Sequence, residues 1–561
     1  MKLINIGFII LLFFIGEVQA KKQDLNQGWR FRKLGEKVWY PATVPGTVHT
    51  DLMQNGLIPD PFYRDNESKV QWVGEADWEY QMDFYLRPDF KINDPGAYLC
   101  FEGIDTYCDV YLNQQLILSA NNMFRTYKID VNGIRPGKNT LQMVFHSAQR
   151  ISDSLSALSK LKRPCENNRN YTRKAQYHFG WDWAPRLITC GIWRSVSLVY
   201  GETPKAPPSK QDQVELIQQK DSIGQSFYFK VNGVPTFMKG ANWVPADVFL
   251  PRITHDKYRM LLTAAKEAGF NMLRVWGGGI YEDDYFYDLC DSLGIYIWQD
   301  FMFAGAMYPG DDVSLENIKQ EAIDNLLRLR THPCIVLWCG NNEIDEAWHN
   351  WGWQKQFSVS SADSTLLWQE YQSIFHELLP SLVKQYDPGR PYVTTSPQIG
   401  WGRKESMHSG DSHYWGMWWG MQPLGIMKEK VPRFMSEYGM QALPDMKTMQ
   451  EFALPEDMDT SSVVMKAHQK HPTGYKTLSA YLEMEQIPAN SFESYIRATQ
   501  ILQARAMETA INAQLHSNGR CMGSLLWQFN DCWPVSSWSI IDYYGRKKLG
   551  YEKVKSLYLK R

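Results

Sequence analysis

Two hydrophobic rhythms divide the chain. From residue 26 to about residue 200, apolar positions come in short alternating runs with no helical period, at 78–86, 97–101, 109–112, 140–145 and 194–199. Turn formers separate the runs: Asn93-Asp94-Pro95-Gly96, Asn132-Gly133 and Arg135-Pro136-Gly137-Lys138. Gly103-Ile104-Asp105-Thr106 ahead of Tyr111-Leu112-Asn113 reads as a turn between core strands. Short strands at this spacing predict an all-β sandwich of the jelly-roll kind. The polar, proline-rich stretch 201–213 reads as a linker. Beyond it, apolar runs at 227–231 and 234–238 flank Asn232-Gly233, a hairpin signal.

The second rhythm begins at Met238. Strand-like runs at 238–243, 272–276, 295–299, 335–338, 392–395, 412–415, 434–437 and 522–528 alternate with helical stretches. The helices read at 254–268, 283–293, 315–329, 366–385, 495–516 and from about 549. Thr254 is a cap in sequence, and Gly294, Asp387-Pro388 and Gly519 are stops. Eight strands with interleaved helices predict a (β/α)8 barrel, a fold of about 250 residues or more. The expected order is a leader at 1–20, a sandwich at 21–200, a linker with a strand remnant at 201–231, and the barrel at 232–561.

Two of the barrel strands end on a glutamate. Cys334-Ile335-Val336-Leu337-Trp338-Cys339 is a buried strand whose tip, Gly340-Asn341-Asn342-Glu343, sets a carboxylate beside two amides. Arg433-Phe434-Met435-Ser436-Glu437-Tyr438-Gly439 repeats the design. In a parallel barrel the C-terminal strand ends are where chemistry is done. One such glutamate alone reads as an ion-paired strand end. Two together fit a retaining glycosidase, with one acid/base and one nucleophile whose carboxyl groups lie roughly 5–5.5 Å apart.

Composition narrows this further. At 561 residues the chain is too long for one core. A net charge of −2 points to neither nucleic acid nor an anionic membrane as partner. The 22 Trp and 30 Tyr are a heavy aromatic load. Much of it is core, yet sugar rings stack their C–H faces on such side chains. Lys2, the hydrophobic run 4–15 and Val18-Gln19-Ala20 read as a secretion signal, too short for a membrane span of about 20 residues. That implies a secreted or periplasmic protein, lysosomal in a eukaryote. The nine cysteines show no zinc spacing. Cys334, Cys339 and Cys521 read as buried thiols, and Cys165 with Cys190 stays open as a disulfide. Gly277-Gly278-Gly279 reads as a tight turn, since no Lys-Ser/Thr follows it. His408 and His413 lack partners at ligand spacing and read as loop or outer-sphere histidines, so no metal and no cofactor is expected.

The motifs taken together resemble those of the family-two glycoside hydrolases, and within them the β-mannosidases. They are Trp181-Asp182-Trp183-Ala184-Pro185-Arg186, Met238-Lys239-Gly240-Ala241-Asn242-Trp243, Arg274-Val275-Trp276-Gly277-Gly278-Gly279, Trp338-Cys339-Gly340-Asn341-Asn342-Glu343, Ser436-Glu437-Tyr438-Gly439-Met440-Gln441 and Trp527-Gln528-Phe529-Asn530-Asp531. The resemblance implies Glu343 as acid/base and Glu437 as nucleophile. It implies Asn342 on the sugar 2-hydroxyl and Asp182, from the sandwich, at the far end of the same sugar. Arg274 and Trp276 would floor the pocket, with Trp351, Trp415 and Trp527 as walls. From the residues alone, each tryptophan reads equally well as core, and Asp182 as a cap or a partner of Arg186.

The resemblance also sets an expectation of missing parts. Family members carry an immunoglobulin-like sandwich before the barrel and β-domains after it. Here 201–226 is too short for a sandwich, and 214–231 looks like its last part. The leading expectation is a retaining exo-β-mannosidase acting on oligosaccharides, with subunit number left open. The alternatives are another family-two β-glycosidase (galactosidase, glucuronidase or glucosaminidase) and a non-catalytic, truncated carbohydrate-binding remnant.

Overall fold

The structure, a computed structural model, describes residues 21–88, 97–130, 133–200 and 213–560. The expected leader 1–20, the turn at 93–96 and nearly all of the linker 201–213 lie outside the described residues. No helix among the described residues is long and apolar enough to cross a membrane.

The N-terminal part is a sandwich of two antiparallel sheets. One holds Lys21–Asp24, Val196–Tyr200, Ala97–Phe101 and Tyr127–Asp130, in that spatial order. The other has six strands, with Trp78–Tyr85 and Lys138–His146 at its centre and Tyr107–Leu112 beside them. Period-two alternation makes the core: Leu141, Met143 and Phe145 point inward from one strand, and Cys108, Val110 and Leu112 from its neighbour.

The eight barrel strands are Met238–Trp243, Met272–Val275, Tyr296–Asp300, Ile335–Cys339, Tyr392–Val393, Asp411–His413, Phe434–Glu437 and Gly523–Leu526. All ladders among them are parallel, in the order five, four, three, two, one, eight, seven, six. The seam between strands five and six is closed by side chains. Ser396 Oγ donates to Asp411 Oδ2 at 2.7 Å, and the Gln398 N–H donates to Asp411 Oδ1 at 2.8 Å. The flanking helices start where the sequence caps them. Thr254 accepts from the Lys257 N–H ahead of His255–Glu267, and Asp283 from the Tyr285 N–H ahead of Asp284–Leu293. Gly294 ends the second helix at φ 63°, in the left-handed region. The helix read at 366–385 begins earlier, at Ser361, and passes through a wider turn at Ser373–Leu378 before ending at Tyr386.

Residues 213–236 form a three-stranded antiparallel sheet: Val214–Ile217, Tyr228–Val231 and Val234–Thr236. Asn232 and Gly233 turn its hairpin with φ of 51° and 78°. The sheet covers the end of the barrel where the strands begin. Phe227 stacks on Trp298 at 5.7 Å, and Phe227 and Phe229 meet Phe434 at 5.3 and 6.1 Å. Met238, Met272, Leu337 and Leu525 complete that cluster. The end carrying both glutamates is the opposite one.

The possible Cys165–Cys190 disulfide is not formed: all nine cysteines are free thiols. Cys165 Sγ instead accepts from Arg169 Nη1 at 3.1 Å.

Candidate active site

The fourth strand runs into Asn341, Asn342 and Glu343, and the backbone there is held from both sides. The Asn342 N–H donates to Phe303 O at 2.9 Å, and the Glu343 N–H to Ser396 O at 2.8 Å. Glu343 has φ 62°, a conformation that costs a non-glycine residue energy and clusters at functional positions. It sets the carboxylate at the head of the short helix Ile344–Asn350. Glu437 is the last residue of the seventh strand.

Between the two carboxylates lies His413, the last residue of the sixth strand. Its Nδ1 is 2.9 Å from Glu343 Oε1 and 2.9 Å from Glu437 Oε2. Its Nε2 is 3.0 Å from Ser396 Oγ, whose own hydrogen goes to Asp411 Oδ2. Ser396 therefore accepts from Nε2, and Nδ1 faces two acceptors, so both ring nitrogens carry protons. Burial pulls the His413 pKa down, but the charge of Glu437 and the hydrogen bonds to both carboxylates outweigh it and raise it to about 9. Sequence reading missed this residue as a partner of the glutamates.

The same surroundings set the two carboxyls apart. Burial lifts Glu343 above the ordinary carboxylate range, and the neighbouring Glu437 charge adds to the lift. Burial also pushes Glu437 up, but His413, Arg274 and the Trp415 N–H together hold it below the ordinary range. Arg274 Nη1 donates to Glu437 Oε1 at 3.3 Å and to Asn242 Oδ1 at 2.8 Å. Arg274 Nη2 donates to Asp300 Oδ2 at 2.9 Å and to Asn342 Oδ1 at 2.7 Å. Asn342 Nδ2 in turn reaches Glu343 Oε2 at 3.2 Å, and Trp415 Nε1 reaches Glu437 Oε2 at 3.2 Å. One hydrogen-bonded group thus joins Arg274, Asn342, Glu343, His413, Trp415 and Glu437.

The sandwich closes one side of this cleft. Trp181 and Trp183 meet Trp276 edge-on at 4.8 and 5.5 Å, and Trp527 lies 5.7 Å from Trp276. The triple glycine permits the fit: a side chain on Gly278 would fall 1.9 Å from the Trp276 ring. The Tyr177 N–H donates to Gly278 O at 3.1 Å, and Trp533 Nε1 to Trp183 O at 2.9 Å. Further out, Arg173 forks onto Glu321 at 2.6 and 2.8 Å and lies 3.9 Å over the Phe303 ring. Asp182, between the two tryptophans, is partly exposed. Its pKa is raised to about 8 by burial first and then by the charges of Glu343 and Glu437. It therefore shares their field.

Trp351 is 44% exposed at the end of the helix after Glu343, and its ring packs against Trp353 at 6.0 Å. Among the described residues two sets of donor atoms, Glu343-His413-Glu437 and Asp288-Asp291-His332, each lie within 4.8 Å of one another, close enough for a small cation. In the first set the imidazolium already supplies the positive charge between the carboxylates.

Comparison with known proteins fits this architecture. Residues 29–194 match the family described as glycosyl hydrolase 2 galactose-binding domain-like. Beta-mannosidase B of Thermothelomyces thermophilus is 34% identical over 652 aligned positions, which cover 95% of this chain and 76% of the fungal protein. The chain belongs to glycoside hydrolase family 2, among the β-mannosidases. Other members agree. The beta-mannosidase of Rattus norvegicus is 30% identical, with 97% of this chain and 77% of the rat protein covered. The crystal structure of the beta-D-mannosidase of Dictyoglomus thermophilum superposes with a TM-score of 0.88 at 36% identity, covering 96% of this chain and 78% of that one. The alignment to the fungal family member is longer than the 561 residues of this chain, so that enzyme carries internal residues that this one lacks.

Proposed function

We propose that the chain is a retaining exo-β-mannosidase that removes terminal β-linked mannose from the non-reducing ends of oligosaccharides. The supporting observation is the opposed setting of Glu343 and Glu437 around one imidazolium. Glu343, held protonated, donates its proton to the departing glycosidic oxygen. Glu437, held ionised, attacks the anomeric carbon, and a covalent glycosyl-enzyme forms. Once Glu437 is esterified its charge is gone, and with it one of the two causes lifting the Glu343 pKa. Glu343 then serves as base, takes a proton from water, and the hydroxide displaces Glu437 with a second inversion.

Asn342, anchored by Arg274, would bind the 2-hydroxyl, where contacts strengthen in the transition state. Asp182, Trp276 and Trp527 would enclose the far end of the sugar, which favours cleavage of terminal units only. Trp415 and the exposed Trp351 would form the remaining wall. The mannose preference rests on the relatives' activity. Export through the leader at 1–20 would deliver the enzyme to a secreted, periplasmic or lysosomal site.

Proton NMR of the reaction with an aryl β-mannoside tests the mechanism. β-Mannose is expected first, and α-mannose first would overturn double displacement. Parallel aryl galactoside, glucuronide and glucosaminide assays test the sugar; a faster rate on any of them would overturn the mannose preference.

A further inference from the structure

The bonds that fix Asn342 reach back to the sandwich. The chain at Asn342 lies past the end of the fourth strand and runs between two neighbours, Ala304 on one side and Ser396 on the other, each met through a parallel bridge. On the Ala304 side the Asn342 N–H donates to Phe303 O at 2.9 Å, and Asn342 O accepts from the Gly305 N–H at 3.0 Å. The loop after the third strand, 301–308, therefore sets one side of the peptide that carries the Asn342 amide. That amide is the one bonded to Arg274 and Glu343.

The other side of the same loop faces the sandwich. Met302 O accepts from Arg173 Nη2 at 2.9 Å, Gly305 O from Arg169 Nη2 at 3.1 Å, and Met307 O from Asn170 Nδ2 at 2.7 Å. Pro164 O and Arg163 extend the contact, accepting from the Met307 N–H at 2.9 Å and donating to Tyr308 O at 3.2 Å. All these bonds end on the loop's backbone. Phe303 and Gly305, the two residues bonded to Asn342, lie inside the clamped stretch. Arg169, Asn170 and Arg173 are buried, and Arg173 is itself fixed by its fork on Glu321 of the helix Asp312–Leu329. Loops are ordinarily the more mobile parts of a fold. This one is tied along its carbonyls to a second domain and along its inner edge to the residue beside Glu343.

We propose that Arg169, Asn170 and Arg173 are positioning residues for the reaction: docking of the sandwich locks the loop 302–307, and the locked loop holds Asn342 where its amide meets the sugar 2-hydroxyl. The inference rests on the glycosidase reading above. It adds a second point, apart from Asp182, at which the sandwich acts on the chemistry, and none of the three side chains has to touch the substrate. The demand on placement is strict. Groups that bind a transition state must be held to within about 0.5 Å, and a misplacement of about 1 Å from a distant change can cost about a hundredfold in rate.

The test is a double-mutant cycle on an aryl β-mannoside, repeated on its 2-deoxy counterpart, with Arg173→Lys, Asn170→Ala and Asn342→Ala. Arg173→Lys keeps a charge facing Glu321, and Asn170→Ala removes one amide, so both sandwich variants should fold; melting curves check this. Each is expected to lower kcat/KM on the mannoside about tenfold, the size of loss that a shift of a fraction of an ångström produces, and to leave the 2-deoxy substrate within about twofold. In the Asn342→Ala background neither should lower the rate further. Full additivity with Asn342→Ala would overturn the inference. So would folded sandwich variants with wild-type rates, or sandwich variants that lose the same factor on both substrates where Asn342→Ala itself spares the 2-deoxy one, since that is a general structural effect. An Asn342→Ala variant that loses the same factor on both substrates would overturn the 2-hydroxyl contact instead, and additivity in the cycle alone then decides the positioning. A wild-type chain inert on the aryl mannoside would overturn the glycosidase reading, and this inference with it.

Discussion

Glu343 and Glu437 each place one carboxylate oxygen 2.9 Å from the same atom, Nδ1 of His413. A single imidazolium therefore stands between the two groups that the proposed reaction needs in opposite protonation states. It favours ionisation of both. Glu343 nevertheless stays above the ordinary range, because burial and the Glu437 charge act on it more strongly.

The pH profile follows from this arrangement. The proposed mechanism requires Glu437 ionised and Glu343 protonated, so kcat/KM should be bell-shaped, with its acid limb below and its alkaline limb above the ordinary carboxylate range. His413→Asn removes the charge that lowers both pKa values. Both limbs should then move to higher pH, and the optimum with them. Unmoved limbs would mean that His413 is neutral in the working enzyme. Stability carries a second signature. The folded pKa of about 9 exceeds the ordinary 6.5, so the folded state holds an extra proton between those values. The stabilisation is complete below pH 6.5 and is lost as pH rises toward 9. Thermal melts should show wild-type Tm falling across that window more steeply than the Tm of His413→Asn.

Leaving-group chemistry separates the two glutamates. Glu343→Ala should slow alkyl and oligosaccharide mannosides by roughly 10²–10⁴-fold, the usual worth of a positioned general acid. Dinitrophenyl mannoside, whose leaving group needs no proton, should keep a near-normal first step. Added azide should then accelerate turnover and yield β-mannosyl azide. An equal loss on good and poor leaving groups would show that Glu343 is not the acid.

Asp182, as a proposed sugar ligand, should link activity to instability. A carboxyl whose folded pKa is raised from 3.8 to about 8 weighs against folding above pH 3.8, and the cost grows until about pH 8. Asp182→Asn should therefore raise Tm at neutral pH. It should also lower kcat/KM for mannosides by up to roughly tenfold, as expected for losing a neutral hydrogen bond of about 0.5–1.5 kcal/mol. Unchanged kinetics together with a raised Tm would place the carboxylate outside the sugar site.

The fold was legible where local signals were strong. The cap at Thr254, the helix start read at Asp283 and the stop at Gly294 mark helix ends to within a residue. The fifth and sixth barrel strands, read to Thr395 and Trp415, end at Val393 and His413, because the β-branched and aromatic residues beyond them join the rim and not the ladder. The hairpin at Asn232-Gly233 was visible. That Phe227 and Phe229 seal the barrel floor was not, since it depends on strands drawn from the whole barrel.

The site divides in the same way. Glu343 and Glu437 stand out at strand tips. His413 is 70 positions from Glu343 and becomes its neighbour only when the barrel closes. The one local hint was Asp411-Ser412-His413, three consecutive buried polar residues on a short strand. Cys165 and Cys190 show the limit of counting, because two cysteines in one domain say nothing about the reach between them.

The most direct measurement is covalent trapping. A 2-deoxy-2-fluoro-β-mannosyl fluoride reacts with the nucleophile and then hydrolyses slowly, so the glycosyl-enzyme accumulates. Digestion and mass spectrometry of the inactivated protein should find one fluoromannosyl group, on the peptide containing Glu437 and on that carboxylate. A label on Glu343, on another residue, or no label in an enzyme that still hydrolyses mannosides would contradict the assignment at its centre.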